Sequence, residues 1–436
     1  MQSAQAITVN DVGEQSVIGH EAAKRGATGT GTAEKGVGEQ IVDQRPLKIS
    51  IIASDLSNSG AGRWKGAVRP FLLAQAFQLL GHSVEILGFA DGDDGLPSEA
   101  DLPIKVIQKA KYPQFLGSAR SLMSQIEGDI VVAYKLKPSS FGLALWYQLR
   151  KKCPVILDID DWELSWHGGD DYRYPGSALQ MCKDILKSDG AMRDPDYPLY
   201  LQWVERFVPR ADAITLHTQF LQSRFGGSYV PNGKNMVLFD PSQYDPDQSR
   251  DRYNLSDYKV LMFPGAPRPY KGVEDILTAL DKLGREDCRL VIVGGSPYDK
   301  YDDYLLKNWG KWIIKLPKYP YEKMPDIVAA AHVLVVPQRD TPAAQAQFPL
   351  KLTDGMAMAK PVLATRVGDI PEILGDTGYL VDAEASDQMA EQLALIFQDL
   401  EAAHQRGLRA RQRCLERYSI ESMATRLQSI LADLAG

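Results

Sequence analysis

The chain has 436 residues, 44% hydrophobic and 24% charged, which is the balance of a soluble globular protein and too long for one ordinary domain. With 49 Lys and Arg against 56 Asp and Glu, the net charge of -7 excludes a general affinity for nucleic acid or for anionic membrane. Cys153, Cys182, Cys288 and Cys414 are far apart and form neither a metal-ligand spacing nor a disulfide framework. No apolar run reaches membrane-spanning length and the N-terminus lacks the build of a signal peptide, so the expected compartment is the cytoplasm.

Residues 1–46 are rich in Gly, Ala, Thr, Gln and Glu and poor in large apolar residues, so they read as a disordered tail. Order is expected from Lys48, where a β-branched run leads into a glycine loop containing Gly60 and Gly62. A helix striped by Val68, Leu72, Ala76, Leu79 and Leu80 follows, then a strand from Val84. This is a βαβ unit and implies a parallel sheet. The glycines fall short of the full dinucleotide fingerprint, which leaves a phosphate loop and an ordinary tight turn both open. Further strands are predicted at 104–107, 130–134, 155–159 and 211–216. The third of these runs into Asp160-Asp161-Trp162-Glu163, at the strand end where open α/β sheets place ligands.

The polar stretch 240–257 reads as a linker, after which the opening pattern returns. Strand 260–263 leads into the loop Pro264-Gly265-Ala266-Pro267-Arg268-Pro269-Tyr270-Lys271-Gly272. A helix striped by Val273, Ile276, Leu277 and Leu280 follows, then a strand at 290–293 ending in Gly294-Gly295. The segment 312–316, a helix around 324–331 and a strand at 333–336 lead to residues 348–365, FPLKLTDGMAMAKPVLAT, around which the chain is organised. There a loop enters a helix of small residues, and Lys360-Pro361 ends it before an apolar strand. The last 45 or so residues are helical by pattern, with Ile420, Met423, Leu427 and Ile430 as a stripe.

Lys351 stands near a helix N-terminus, where exposed N–H groups favour an anion over a cation. A nucleotide diphosphate would resolve that conflict, with Asp354 accepting from ribose hydroxyls; a solvated lysine and a helix-start aspartate are the plain alternative. Because loops at the C-terminal ends of parallel strands gather at one face, Lys271 and Arg268 are expected to converge with Lys351 there. Asp158-Ile159-Asp160 matches an Asp-x-Asp metal site, but the pattern is common by chance and the cationic loops already supply counter-charge, so no metal is expected. No Ser-His-Asp or Cys-His arrangement is evident.

The loop PGAPRPYKGVEDIL, the run AAAHVLVVPQ and FPLKLTDGMAMAKPVLATRVGDIPEIL, with Val230-Pro231-Asn232-Gly233, resemble the retaining glycosyltransferases of family 4. The resemblance covers about residues 47–436. It implies the α/β GT-B fold, two Rossmann-like domains facing each other across a cleft with a C-terminal helix crossing back to the first. The implied boundaries are a tail at 1–46, an acceptor-side domain at 47–245, a donor-binding domain at 246–415 and the returning helix at 416–436. It implies transfer from a UDP-, GDP- or ADP-linked sugar to a saccharide or lipid-linked acceptor, with retained configuration and no required cofactor. Lys271, Lys351 and Asp160 take the catalytic positions. Gly265, Arg268, Gly294, Gly295, Leu352, Thr353 and Asp354, with Gly60 and Gly62, take the donor-binding ones.

The chain departs from that family in three places: Ala346 where the first of two glutamates usually stands, Ala266 where an arginine is usual, with Arg268 as its substitute, and Asp160 where many members carry histidine. Lys135, Lys137, Arg150, Lys151 and Lys152 flank the apolar run 141–149. That run is either a peripheral contact with an anionic membrane or a core helix with charged ends. A GT-B-type epimerase and a non-catalytic nucleotide-sugar-binding protein are the rival classes, and a dehydrogenase fits least.

Overall fold

Two runs of β-branched and leucine residues, each interrupted by helices, build two separate parallel sheets. The structure is a computed structural model and describes residues 45–58, 60, 68–91, 101–295 and 299–435, so the expected tail and Gly62 lie outside the described residues. The first sheet contains β1 (Lys48–Ala53), β2 (Ser83–Ala90), β3 (Ile104–Gln108), β4 (Ile130–Tyr134), β5 (Val155–Ile159), β6 (Ala213–Leu216) and β7 (Ser228–Tyr229). Its order is β3-β2-β1-β4-β5-β6-β7, and every pairing is parallel.

The second sheet contains β8 (Lys259–Pro264), β9 (Cys288–Val293), β10 (Ile313–Leu316), β11 (Val333–Val336), β12 (Val362–Thr365) and β13 (Tyr379–Val381), in the order β10-β9-β8-β11-β12-β13. Both orders reverse direction beside the first strand of their half, at β1/β4 and at β8/β11. That switch point is where doubly wound sheets open a crevice.

The alternation of strand side chains divides each half into two apolar layers. Ile49 and Ile51 of β1 enter one core while Ile52 enters the other, and Val260 and Met262 of β8 part from Leu261 and Phe263 in the same way. Pro46 to Gly436 forms one compact unit.

The helix Arg69–Leu79 corrects the predicted stripe. Leu79 is 55% exposed, whereas Phe71, Leu73, Ala74 and Phe77 are buried. This helix lies between its own sheet and the last helix, Ile420–Ala435, and so buries more than one face. Ile420, Met423, Leu427 and Ile430 of the last helix join the first half's core, which is the return crossing expected of this fold.

The preceding helix, Leu400–Tyr418, packs Ala410, Cys414 and Tyr418 into the second half. In the forward direction Val230 belongs to the first core, and Met236 and Phe239 belong to the second. The chain therefore crosses ahead of 240–257, which carries the short helix Pro246–Arg252 and docks on the second half through Ser249 and Tyr253 to Asp326.

Candidate active site

The cleft lies over the second sheet's switch point and encloses about 610 Å³. The loop after β8 contributes Gly265, Arg268, Tyr270 and Lys271, and the entry to the helix Leu350–Ala357 contributes Pro349, Leu350 and Lys351. The topology thus brings the three expected cations to one wall. Two glycines set the loop. Gly265 has φ +123°, and Gly272, at φ +65°, is packed so closely that a Cβ would lie 1.7 Å from the Pro337 carbonyl oxygen. Only glycine fits there without moving the loop that ends in Lys271.

Lys351 is half-buried, with Nζ 4.1 Å from the ring centre of Phe263, and no carboxylate lies within ion-pair distance among the described residues. Burial lowers its pKa to about 8, an effect that the charge of Asp354 partly opposes. It stands in the first turn of a helix whose N-terminus has no side-chain cap. A partly desolvated cation beside open helix N–H groups is the arrangement that an anion completes. Lys271 donates to the carbonyl oxygen of Ala266 in its own loop (2.9 Å).

Asp354 is ion-paired with Lys234, a buried lysine on the forward crossing that sequence reasoning missed. Burial opposes the charge of Lys234, but its pKa is raised because Asp354 accepts from it. Leu352 and Thr353 are fully buried: Leu352 lies in the core, and the Thr353 hydroxyl donates to the Leu350 carbonyl (2.9 Å). Gly294 and Gly295 close the strand end beside the cleft without lining it, the Gly294 N–H donating to Leu316 O (3.0 Å). Gly60 sits in a tight turn, its N–H donating to Ser57 O (3.0 Å).

On the opposite wall, Asp158 is taken up by Arg69 through two bonds of 2.7 Å, and Arg69 also reaches Val230 O and Asn232 Oδ1. Its carboxylate is therefore a structural anchor for the helix start and the crossing turn. Asp158 of the Asp-x-Asp pattern is thus engaged by Arg69, and among the described residues no group of three His, Cys, Asp or Glu is placed to hold a metal.

Asp160 accepts from the Tyr134 hydroxyl and lies 3.3 Å from Lys135 Nζ. Lys135, at φ +75°, and Lys137 both pair with Glu163, at 2.6 and 3.1 Å. These two lysines are half-buried counter-ions of Glu163, which removes them from the membrane patch considered above; Arg150, Lys151 and Lys152 remain exposed beside Leu149.

Several contacts join the two halves. Trp166 packs edge-on against Tyr270, with ring centres 5.5 Å apart, and buried His217 lies 3.3 Å from the carbonyl oxygen of Ala346. Burial, aided by Arg69, lowers the His217 pKa to about 3, so the neutral ring donates to Ala346 and accepts from the Asn232 amide (3.2 Å). Sequence reasoning missed His217, although its place just past β6 was a signal. Ala346 is wholly buried against the first half, in the position where the related family usually carries an acid.

Residues 258–399 match the family model described as glycosyl transferases group 1. That match spans the second sheet, from β8 to β13. Over 194 residues the chain is 28% identical to the N-acetyl-alpha-D-glucosaminyl L-malate synthase of Bacillus anthracis, covering 44% of this chain and 50% of that protein. It is 23% identical over 394 residues to the D-inositol 3-phosphate glycosyltransferase of Corynebacterium glutamicum, covering 83% of this chain and 90% of that one. Thus the chain spans half the length of the Bacillus relative and nearly all of the Corynebacterium one.

Among solved structures, Anabaena Alr3699/HepE in complex with UDP and glucose superposes with a TM-score of 0.67 at 16% identity, over 88% of this chain and 99% of that one. At that identity the likeness establishes the fold alone, and that fold is GT-B.

Proposed function

We propose that this protein transfers a sugar from a nucleotide-diphosphate sugar to a saccharide or lipid-linked acceptor, with retained anomeric configuration and without a metal. The observation that carries the reading is Lys351, a half-buried cation on an uncapped helix start with no carboxylate in ion-pair range among the described residues. As the glycosidic bond to phosphate breaks, negative charge grows on the diphosphate. Lys351, Lys271, Arg268 and the N–H groups of Leu350 and Lys351 stand where they would stabilise it, the task a divalent ion performs elsewhere.

Asp354 is the acceptor for ribose hydroxyls on this reading, and Gly265 admits the diphosphate to the backbone. Gly294 and Gly295 shape the strand end beside it. Leu352 and Thr353 contribute only main chain, because their side chains are buried. Asp160 and the loop that carries Trp166 face the acceptor on this reading, and Gly60 belongs to the same half. Among the described residues no helix is long and apolar enough to cross a membrane, and a lipid-linked acceptor would be reached from the surface.

The test is a panel of UDP-, GDP- and ADP-sugars with mono- and disaccharide acceptors, followed by release of nucleoside diphosphate and by NMR of the new linkage. Acceptor-dependent release with unchanged anomeric configuration is expected, and EDTA should not reduce it. A changed sugar without any acceptor would instead favour an epimerase, and nucleotide binding without turnover a binding protein.

A further inference from the structure

The two segments that cross between the halves run side by side, and Lys234 is where they pair. Its N–H donates to Tyr418 O (2.7 Å), and its carbonyl accepts from the Ile420 N–H (3.1 Å). The side chain then enters the cleft instead of solvent. It is buried, ion-paired with Asp354 Oδ1, and has Nζ 4.4 Å from the ring centre of Phe239 and 5.5 Å from that of Tyr321. A buried ammonium carries a desolvation cost, and an apolar residue of similar size would fill the same space, so packing alone does not account for a charge here. The pair occupies Asp354 Oδ1, while Oδ2 makes no hydrogen bond among the described residues.

We propose that Lys234 is a positioning residue for the donor: it neutralises Asp354 beside the diphosphate position and fixes its second carboxylate oxygen as the acceptor for the ribose diol. This rests on the nucleotide-sugar reading above. Without Lys234, Asp354 would present an uncompensated charge to an anionic ligand and would be free to turn. Lys234 therefore acts on which nucleotides bind and on the KM for the donor, more than on kcat.

The test is calorimetric titration of the full chain with UDP, GDP and ADP and with their 2′,3′-dideoxy counterparts. The proteins are wild type, Lys234→Met, Lys234→Arg, Asp354→Asn and the Lys234→Met/Asp354→Asn double variant. A charge-assisted hydrogen bond predicts that wild type favours the ribose form by roughly tenfold or more. Lys234→Met should lose most of that preference and raise the donor KM with little change in kcat, and Lys234→Arg should keep the preference. Asp354→Asn should abolish it, with no further loss in the double variant. Lys234→Gln, a milder change that keeps a donor but no charge, provides the same comparison should Lys234→Met not fold.

A wild-type ribose preference retained in Lys234→Met, or in Lys234→Gln, overturns the inference. If wild type binds none of the three nucleotides, the nucleotide-sugar reading fails and this inference fails with it; binding with an unchanged ratio overturns the role of Lys234 alone.

Discussion

Lys351→Met separates a functional lysine from a structural one, because the two roles predict opposite effects on the empty protein. In the unliganded protein the half-buried ammonium lies over Phe263 without a carboxylate partner among the described residues, and desolvation lowers its pKa from 10.5 to about 8. Each pKa unit is worth about 1.4 kcal/mol, so holding the charge at neutral pH costs the fold on the order of 3 kcal/mol at most, with less where solvent reaches the group. Methionine fills similar space with no charge. The variant should therefore be at least as stable as wild type, and more stable by roughly 1 to 3 kcal/mol, in urea unfolding at pH 7. The same change removes a preorganised cation from the leaving diphosphate, which typically costs about 3 to 4 kcal/mol in the transition state, or a hundredfold or more in turnover. Urea midpoints and steady-state rates on one preparation suffice. A destabilised Lys351→Met with wild-type turnover would refute the reasoning, since it would make the lysine a packing residue.

The remaining predictions concern other parts of the site. Because an anion favours charged Lys351, nucleoside diphosphate affinity should weaken as pH rises above about 8, with proton uptake on binding detectable in buffers of different ionisation heat. In the empty protein, stability should instead rise between about pH 8 and 10.5, where the unfolded chain binds the extra proton, and a flat profile in both experiments would count against a buried charge. Arg69→Met strands the buried carboxylate of Asp158 and should cost roughly 3 to 5 kcal/mol in urea unfolding, whereas a surface-like loss below 1 kcal/mol would mean that the pair is not an anchor. Gly272→Ala must displace either Pro337 or the Lys271 loop, at a cost of about 1 to 3 kcal/mol, and should raise the donor KM. Unchanged kinetics would show that the loop tolerates the shift.

The parallel sheets and the wall of cations were legible because they depend on local patterns. Alternating β-branched runs give the strands, and the rule that strand ends share one face brings Lys271 and Lys351 together. What stayed hidden depends on contacts across the chain. Lys234 reads as the residue after a Pro-Asn-Gly turn, and nothing in its spacing points to Asp354, 120 positions away. Lys135 and Lys137 look like the basic flank of an apolar helix, yet Glu163, just after β5, pairs with both. The same limit explains Leu79: a helical stripe predicts one buried face, and the returning helix covers another.

The central claim is that the Lys351 wall binds a nucleoside diphosphate without a metal. Thermal unfolding of wild type and Lys351→Ala with UDP, GDP, ADP or NAD, each with and without EDTA, tests it directly. Ligand at a hundred times its dissociation constant should stabilise the fold by about 2.7 kcal/mol. The account predicts that one nucleoside diphosphate raises the melting temperature of wild type, that EDTA leaves this shift intact, and that Lys351→Ala abolishes it. A shift produced by NAD alone, or one that survives in Lys351→Ala, would contradict the account.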